Sequence, residues 1–273
     1  MPQPIECIET QHVNMVTRDF DATVAHFQKL FGAQFARDIP APEWHAGLIY
    51  MCGVLFEIFS PHQWLANGRY GPHWVGLEYQ IDDVAKTRRL LAEHGVGLVR
   101  DIEIAIHTDA ADTVGVAFEF YDQSFYSFDD SYWPEPLKPA EYWRDENPLG
   151  CFGLKRYSVV VADHEAALKR LRDLFVTATL YDEARDALGG RVTGLQMADS
   201  VLELMSPTTD GPLRAHHYRY GDGMRSVAFQ ATDLDRVRRH FEGQGIALET
   251  GDRANALALP ATANLGLMME FEL

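Results

Sequence analysis

Apolar and polar positions alternate along residues 11–16 with the period of a strand. From Phe20 to Gly32 the spacing changes, and Val24, Phe27, Leu30 and Phe31 fall on one helical face. Asp19 and Asp21 suit the start of that helix and Gly32 its end. Short strand-like runs follow at 48–51 and 54–59, the second stopped by Ser60 and Pro61. The unit reads as a strand, a helix and then about three strands. The same order recurs three times. Residues 75–79 lead into a helix from Asp82 to Gly95, and the unit closes on 115–121. The third unit opens at 156–161, carries a helix from Asp163 to Phe175 and ends on 201–207. The fourth runs from 226–230 through a helix from Asp233 to Gly245, and ends on 267–271.

Two echoes tie the units together. Phe56-Glu57-Ile58-Phe59-Ser60-Pro61 recurs as Leu202-Glu203-Leu204-Met205-Ser206-Pro207. Asp82-Asp83-Val84 followed by Arg88-Arg89 recurs as Thr232-Asp233-Leu234 followed by Arg238-Arg239. Between the halves lies a segment, residues 122–144, with three prolines and many aromatics, which argues against both regular structure and a free linker. We read it as an ordered strap over 126–150, packed outside the sheets or walling a ligand pocket. The organisation expected is an N-terminal domain at 1–125, the strap, and a C-terminal domain at 151–273.

Composition narrows the function. Apolar residues make up 47% of the chain and charged ones 23%, the balance of a globular protein with enough apolar material for two cores. The formal net charge of −16 repels nucleic-acid phosphates and anionic membrane surfaces, so neither is expected as a partner. No apolar run is long enough for a membrane span, and residues 1–6 lack the pattern of a signal peptide, which predicts a cytoplasmic protein. Cys7, Cys52 and Cys151 lie far apart, an odd number that gives neither a disulfide framework nor a zinc site.

Glu57 and Glu119 each sit inside an otherwise apolar strand, where a buried carboxylate is costly unless paired or bound to a cation. A metal accounts for both. Repeated strand–helix–strands modules, with a His early in a first strand and a Glu in a last one, resemble the vicinal oxygen chelate superfamily. That group holds glyoxalase I, methylmalonyl-CoA epimerase, extradiol dioxygenases and fosfomycin-resistance proteins, and the resemblance covers nearly the whole chain. It implies an α+β fold, four βαβββ modules paired into two cup-shaped mixed-sheet domains. It also implies one divalent metal ion in a cup, with Fe, Mn, Co, Ni and Zn all open. The positions that carry over are His12, Glu57 and Glu119.

The fourth position departs from the pattern. Glu57 and Glu119 are 62 residues apart, and the same offset from His12 lands on Trp74, beside His73. A bulge forced by Pro72 would bring His73 into line. The expected metal set is then His12, His73 and Glu119, with Glu57 as catalytic base or fourth ligand. If His73 points away, Trp74 takes a ligand's place and the site is poor in metal. In the C-terminal half Arg156 aligns with His12, and an arginine cannot ligate a metal. There Arg156 and Arg225 are expected to neutralise Glu203 and Glu270, closing a degenerate site. His45, His62 and His107 are weaker candidates near the cup, and the adjacent His216 and His217 are poorly spaced for one metal.

These residues predict a metal-dependent enzyme of small-molecule metabolism, with a glyoxalase-like lyase or isomerase favoured. An extradiol-type dioxygenase is the close alternative. A metal-free small-molecule-binding protein of the resistance type is the rival from another class. The substrate is expected to be small, with aromatic molecules favoured by the aromatic content, and a homodimer is compatible with the sequence.

Overall fold

A computed structural model describes residues 2–63 and 71–273. Strand, helix and three strands follow one another four times. The first module is β1 (Glu9–Val16), α1 (Phe20–Phe31), β2 (Gln34–Asp38), β3 (Trp44–Met51) and β4 (Val54–Pro61). The second is β5 (His73–Gln80), α2 (Val84–Glu93), β6 (Leu98–Asp101), β7 (Ala105–Thr108) and β8 (Ala117–Tyr121). The third is β9 (Cys151–Val160), α3 (His164–Leu174), β10 (Ala178–Arg185), β11 (Gly190–Met197) and β12 (Ser200–Pro207). After an extra helix, α4 (Pro212–Tyr220), come β13 (Gly223–Ala231), α5 (Leu234–Glu242), β14 (Glu249–Thr250), β15 (Leu257–Leu259) and β16 (Met268–Glu272).

The four module helices start in one way. Asp19, Asp83, Asp163 and Asp233 each stand at the N-cap, and each carboxylate accepts a hydrogen bond from a backbone N–H of the first turn. α1 ends on Gly32 in the left-handed conformation. The extra helix α4 buries only Leu213 and starts on Pro212, so it carries no apolar stripe for a sequence to show.

β1 to β8 form one eight-stranded sheet in the order β2-β3-β4-β1-β5-β8-β7-β6, and β9 to β16 form a second with the same order, β10-β11-β12-β9-β13-β16-β15-β14. Each module closes by pairing its first strand in parallel with its last: β1 with β4, β5 with β8, β9 with β12 and β13 with β16. The fold is α+β, built on two mixed sheets.

By contact density the chain divides into two compact units. One comprises Met1–Gln11, Val75–Ser127 and Arg156–Arg225. In its interior the hydroxyls of Tyr79 and Tyr157 lie 2.5 Å apart, and Phe118 packs edge-on against Phe175 at 4.9 Å. The other comprises His12–Trp74, Phe128–Lys155 and Ser226–Leu273. In it Phe31 meets Phe241 and Phe56 meets Phe229, each at 5.8 Å.

The strap is ordered by specific contacts. The Gln34 side chain donates to the carbonyl of Pro136 (2.8 Å) and accepts from the amide of Lys138 (3.0 Å). Trp143 is fully buried, perpendicular to Tyr50 at 5.5 Å, and the Arg37 guanidinium lies 4.0 Å over the Tyr132 ring. Across the β2-β3-β4 ladders Arg37 pairs with Leu48, and Leu48 with Glu57. The strap therefore reaches the face of the sheet that bears Glu57. Among the described residues no helix is long and apolar enough to cross a membrane.

Candidate metal centre

The site begins with the pairing of β1 and β4. His12 stands opposite Leu55 and Asn14 opposite Glu57, so His12, Asn14 and Glu57 share a face. All three are buried. The Asn14 Oδ1 lies 2.6 Å from Nδ1 of His12. A carbonyl oxygen only accepts, so Nδ1 carries the proton and the lone pair on Nε2 points forward. That Nε2 is 3.9 Å from a carboxylate oxygen of Glu57.

β5 and β8 repeat this arrangement with different chemistry. Gly76 stands opposite Ala117, as His12 does opposite Leu55, and Glu78 stands opposite Glu119, as Asn14 does opposite Glu57. Glu78 and Glu119 are both buried. On the other side of β8, His107 pairs with Glu119, and its Nε2 is 2.6 Å from Oε1.

On this sheet the ligand atoms of His12, Glu78 and Glu119 all lie within 4.8 Å of one another. Two carboxylates this close together and this deeply buried call for a cation or a shared proton. A neutral imidazole completes a mixed nitrogen and oxygen donor set, which fits a divalent metal and leaves positions for substrate or water.

The set differs from the expected one at a single position. His73 does not join the group; it lies at the entrance of β5, with its Nδ1 2.7 Å from the carbonyl oxygen of Gly71. Trp74 does not take a ligand's place either. Its ring packs on Phe56, 6.0 Å away, and its indole N–H donates to the carbonyl of Met268. The residue on β5 that meets Glu119 is Glu78. The register equivalent of His12 is Gly76, where a Cβ would fall 1.7 Å from the carbonyl oxygen of Ala117, so no side chain fits there.

Residues 11–118 match the profile of the Glyoxalase/Bleomycin resistance protein/Dioxygenase superfamily. Over those residues the sequence is similar to that superfamily, the resemblance drawn from its repeated modules. Its fold is that of a triple mutant of 4-hydroxymandelate synthase from Streptomyces coelicolor, with a TM-score of 0.74 and 12% identity over 99% of this chain and 92% of that one. Homoprotocatechuate 2,3-dioxygenase from Brevibacterium fuscum, as a point mutant, superposes at 0.67 with 12% identity, over 100% of this chain and 73% of that one. A Mn(II)-bound glyoxalase from Novosphingobium aromaticivorans superposes at 0.62 with 11% identity, over 97% and 81%. At these identities the three show a shared fold. No curated protein matches the sequence.

The second sheet holds a different chemistry at the equivalent places. Arg156, fully buried, replaces His12 and donates to Glu203 at 3.0 Å. Arg185 from β10 also binds Glu203 at 2.5 Å, and the Tyr181 hydroxyl donates to the same oxygen at 2.7 Å. The Arg156 pairing agrees with the sequence; Arg185 and Tyr181 are additions. Ser226 holds the place of Gly76 and donates to Glu270 at 2.9 Å, while the amide of Asp252 donates to its other oxygen at 2.8 Å. Ala228 holds the place of Glu78. Guanidinium, hydroxyl and amide donors thus meet the carboxylates of this half.

Of the weaker histidine candidates, His107 contacts a member of the buried group, Glu119. His45 is stacked on Phe20 and paired with Asp38, His62 is exposed, and His217 pairs with Asp222 beside the exposed surface of α4. Glu78 was within reach of the sequence. It is a glutamate in the apolar run 75–79, the same signal that marked Glu57 and Glu119.

Proposed function

We propose that this protein is a metal-dependent enzyme acting on a small molecule by proton transfer next to a carbonyl, a lyase or isomerase rather than an oxygenase. The observation that carries this reading is the meeting of His12, Glu78 and Glu119, with a further buried carboxylate, Glu57, 3.9 Å from the ligating imidazole.

When bound, a divalent ion supplies Lewis acidity toward two neighbouring substrate oxygens. The protein does the rest. His12 Nε2 and the carboxylates of Glu78 and Glu119 would hold the ion, and Asn14 keeps the His12 ring in the tautomer that can do so. Glu57 is the residue left to move a proton. It lies beside the ligand group and outside it, as a base that takes a proton from the substrate carbon and returns it requires. Burial of all four side chains limits the water that would compete for that proton.

This reading keeps the organisation drawn from the sequence: an active N-terminal glyoxalase-like domain at 1–125, the strap at 126–150, and a C-terminal domain at 151–273 whose site is degenerate. A dioxygenase of the two-histidine, one-carboxylate kind needs a second imidazole in the group, and here Glu78 stands in that role. Metal content of protein purified without chelators, compared with His12→Ala, tests the reading. About one equivalent in the wild type and its loss in the variant support it. No metal in either would favour a metal-free binding protein.

A further inference from the structure

We propose that Glu78, by taking the place that a second imidazole would otherwise fill, shifts this centre's balance between divalent ions toward the hard, oxygen-preferring Mn2+ and away from Ni2+. The proposal rests on His12, Glu78 and Glu119 being one metal site.

The backbone makes the exchange compulsory. The two halves of the first sheet share a register, in which His12 corresponds to Gly76 and Asn14 to Glu78. A ligand on β5 cannot sit at the His12-equivalent place, because any Cβ at Gly76 would collide with the Ala117 carbonyl oxygen at 1.7 Å. The next residue on that face is Glu78, two positions along β5 and directly opposite Glu119. A ligand supplied from there meets Glu119 across the strand pair.

The consequence is electrostatic. With one imidazole and two carboxylates, the ligand charges cancel those of a divalent ion, and oxygen donors outnumber nitrogen. Carboxylate and water donors suit Mn2+ and Mg2+, whereas imidazole-rich sites suit Ni2+, Fe2+ and Zn2+. His107 stands next to this set. Its Nε2 lies 2.6 Å from Oε1 of Glu119, which makes the imidazole an outer partner of that carboxylate.

Binding of Mn2+, read from the electron paramagnetic resonance signal of the free ion, and its competition by Ni2+ test this without any assay of activity. Wild type, Glu78→His and Glu78→Gln are compared, each shown to be folded by circular dichroism. The affinity for Ni2+ relative to Mn2+ is expected to rise about tenfold or more in Glu78→His, and Mn2+ affinity to fall about tenfold or more in the isosteric Glu78→Gln, each step being about 1.4 kcal/mol. If the wild type binds and both variants keep its affinities, the role of Glu78 is overturned while His12 and Glu119 stand as ligands. If the wild type binds neither ion, the metal site itself fails and this proposal with it.

Discussion

The carbonyl oxygen of Asn14 lies 2.6 Å from Nδ1 of His12, two residues away on the same face of β1. This contact sets which nitrogen of His12 carries the proton, and it ties the proposed metal affinity to a residue outside the ligand group. Outer partners of this kind are worth about 10–100-fold in metal affinity. Asn14→Ala is therefore expected to weaken Mn2+ binding by about that factor with the fold retained. Calorimetric titration checks it.

Gly76 is a second point of control. Its Cα approaches Ala117 too closely for a side chain, so Gly76→His does not restore a second imidazole to the site. The variant is expected to lose about 3 kcal/mol or more of stability, because the obstacle is backbone rather than a flexible side chain. Urea unfolding gives the loss, and metal titration of the folded fraction shows whether any affinity is gained.

In the second sheet, Arg156 and Glu203 are almost wholly buried. Removing Arg156 takes one of two guanidinium partners from Glu203, which keeps Arg185 and the Tyr181 hydroxyl, so the cost stays below the roughly 3–5 kcal/mol of a buried charge left wholly unpaired. Arg156→Met is expected to lower the unfolding free energy by about 1.5–3 kcal/mol, the worth of a hydrogen bond to a charged group, while metal stoichiometry stays at one per chain, since the lost group lies outside the proposed centre. Unfolding curves and metal analysis on the same preparation check both halves of the statement.

His164 supplies a pH dependence. Its ring is buried, with Nδ1 2.9 Å from the Ser206 hydroxyl and Nε2 2.7 Å from that of Thr193. Burial, aided by the Arg191 charge, holds its pKa below the ordinary 6.5. His26, desolvated beside Asn264, is shifted the same way. In both, the unfolded chain takes up a proton before the folded one does. Stability is thus full above about pH 6.5 and falls as pH drops below it toward the folded-state value. Urea midpoints at neutral and mildly acidic pH are expected to show this fall, and to show less of it in His164→Gln.

Much of this was legible in the chain. Four aspartate-capped helices and the strands around them follow from periodicity, and His12, Glu57 and Glu119 stand out as polar residues in apolar strands. The member of the buried group on β5 is Glu78 rather than His73, for a countable reason. The offset between Glu57 and Glu119 is 62 residues, but that between their ladder partners Asn14 and Glu78 is 64, because the first module is two residues longer. Transferring the shorter offset to the first strands pointed to Trp74 and its neighbour His73. Arg185 was not legible at all. It reaches Glu203 from an edge strand whose neighbours are mostly exposed, and no local pattern announces so distant a pairing. The short helix α4 left no trace because it buries a single residue.

The most direct measurement is diffraction at the manganese absorption edge from crystals of the protein grown with Mn2+. The account predicts one strong anomalous peak at bonding distance from Nε2 of His12 and from carboxylate oxygens of Glu78 and Glu119, with none between Arg156 and Glu203. A peak bonded to His73, or none near His12, would contradict it.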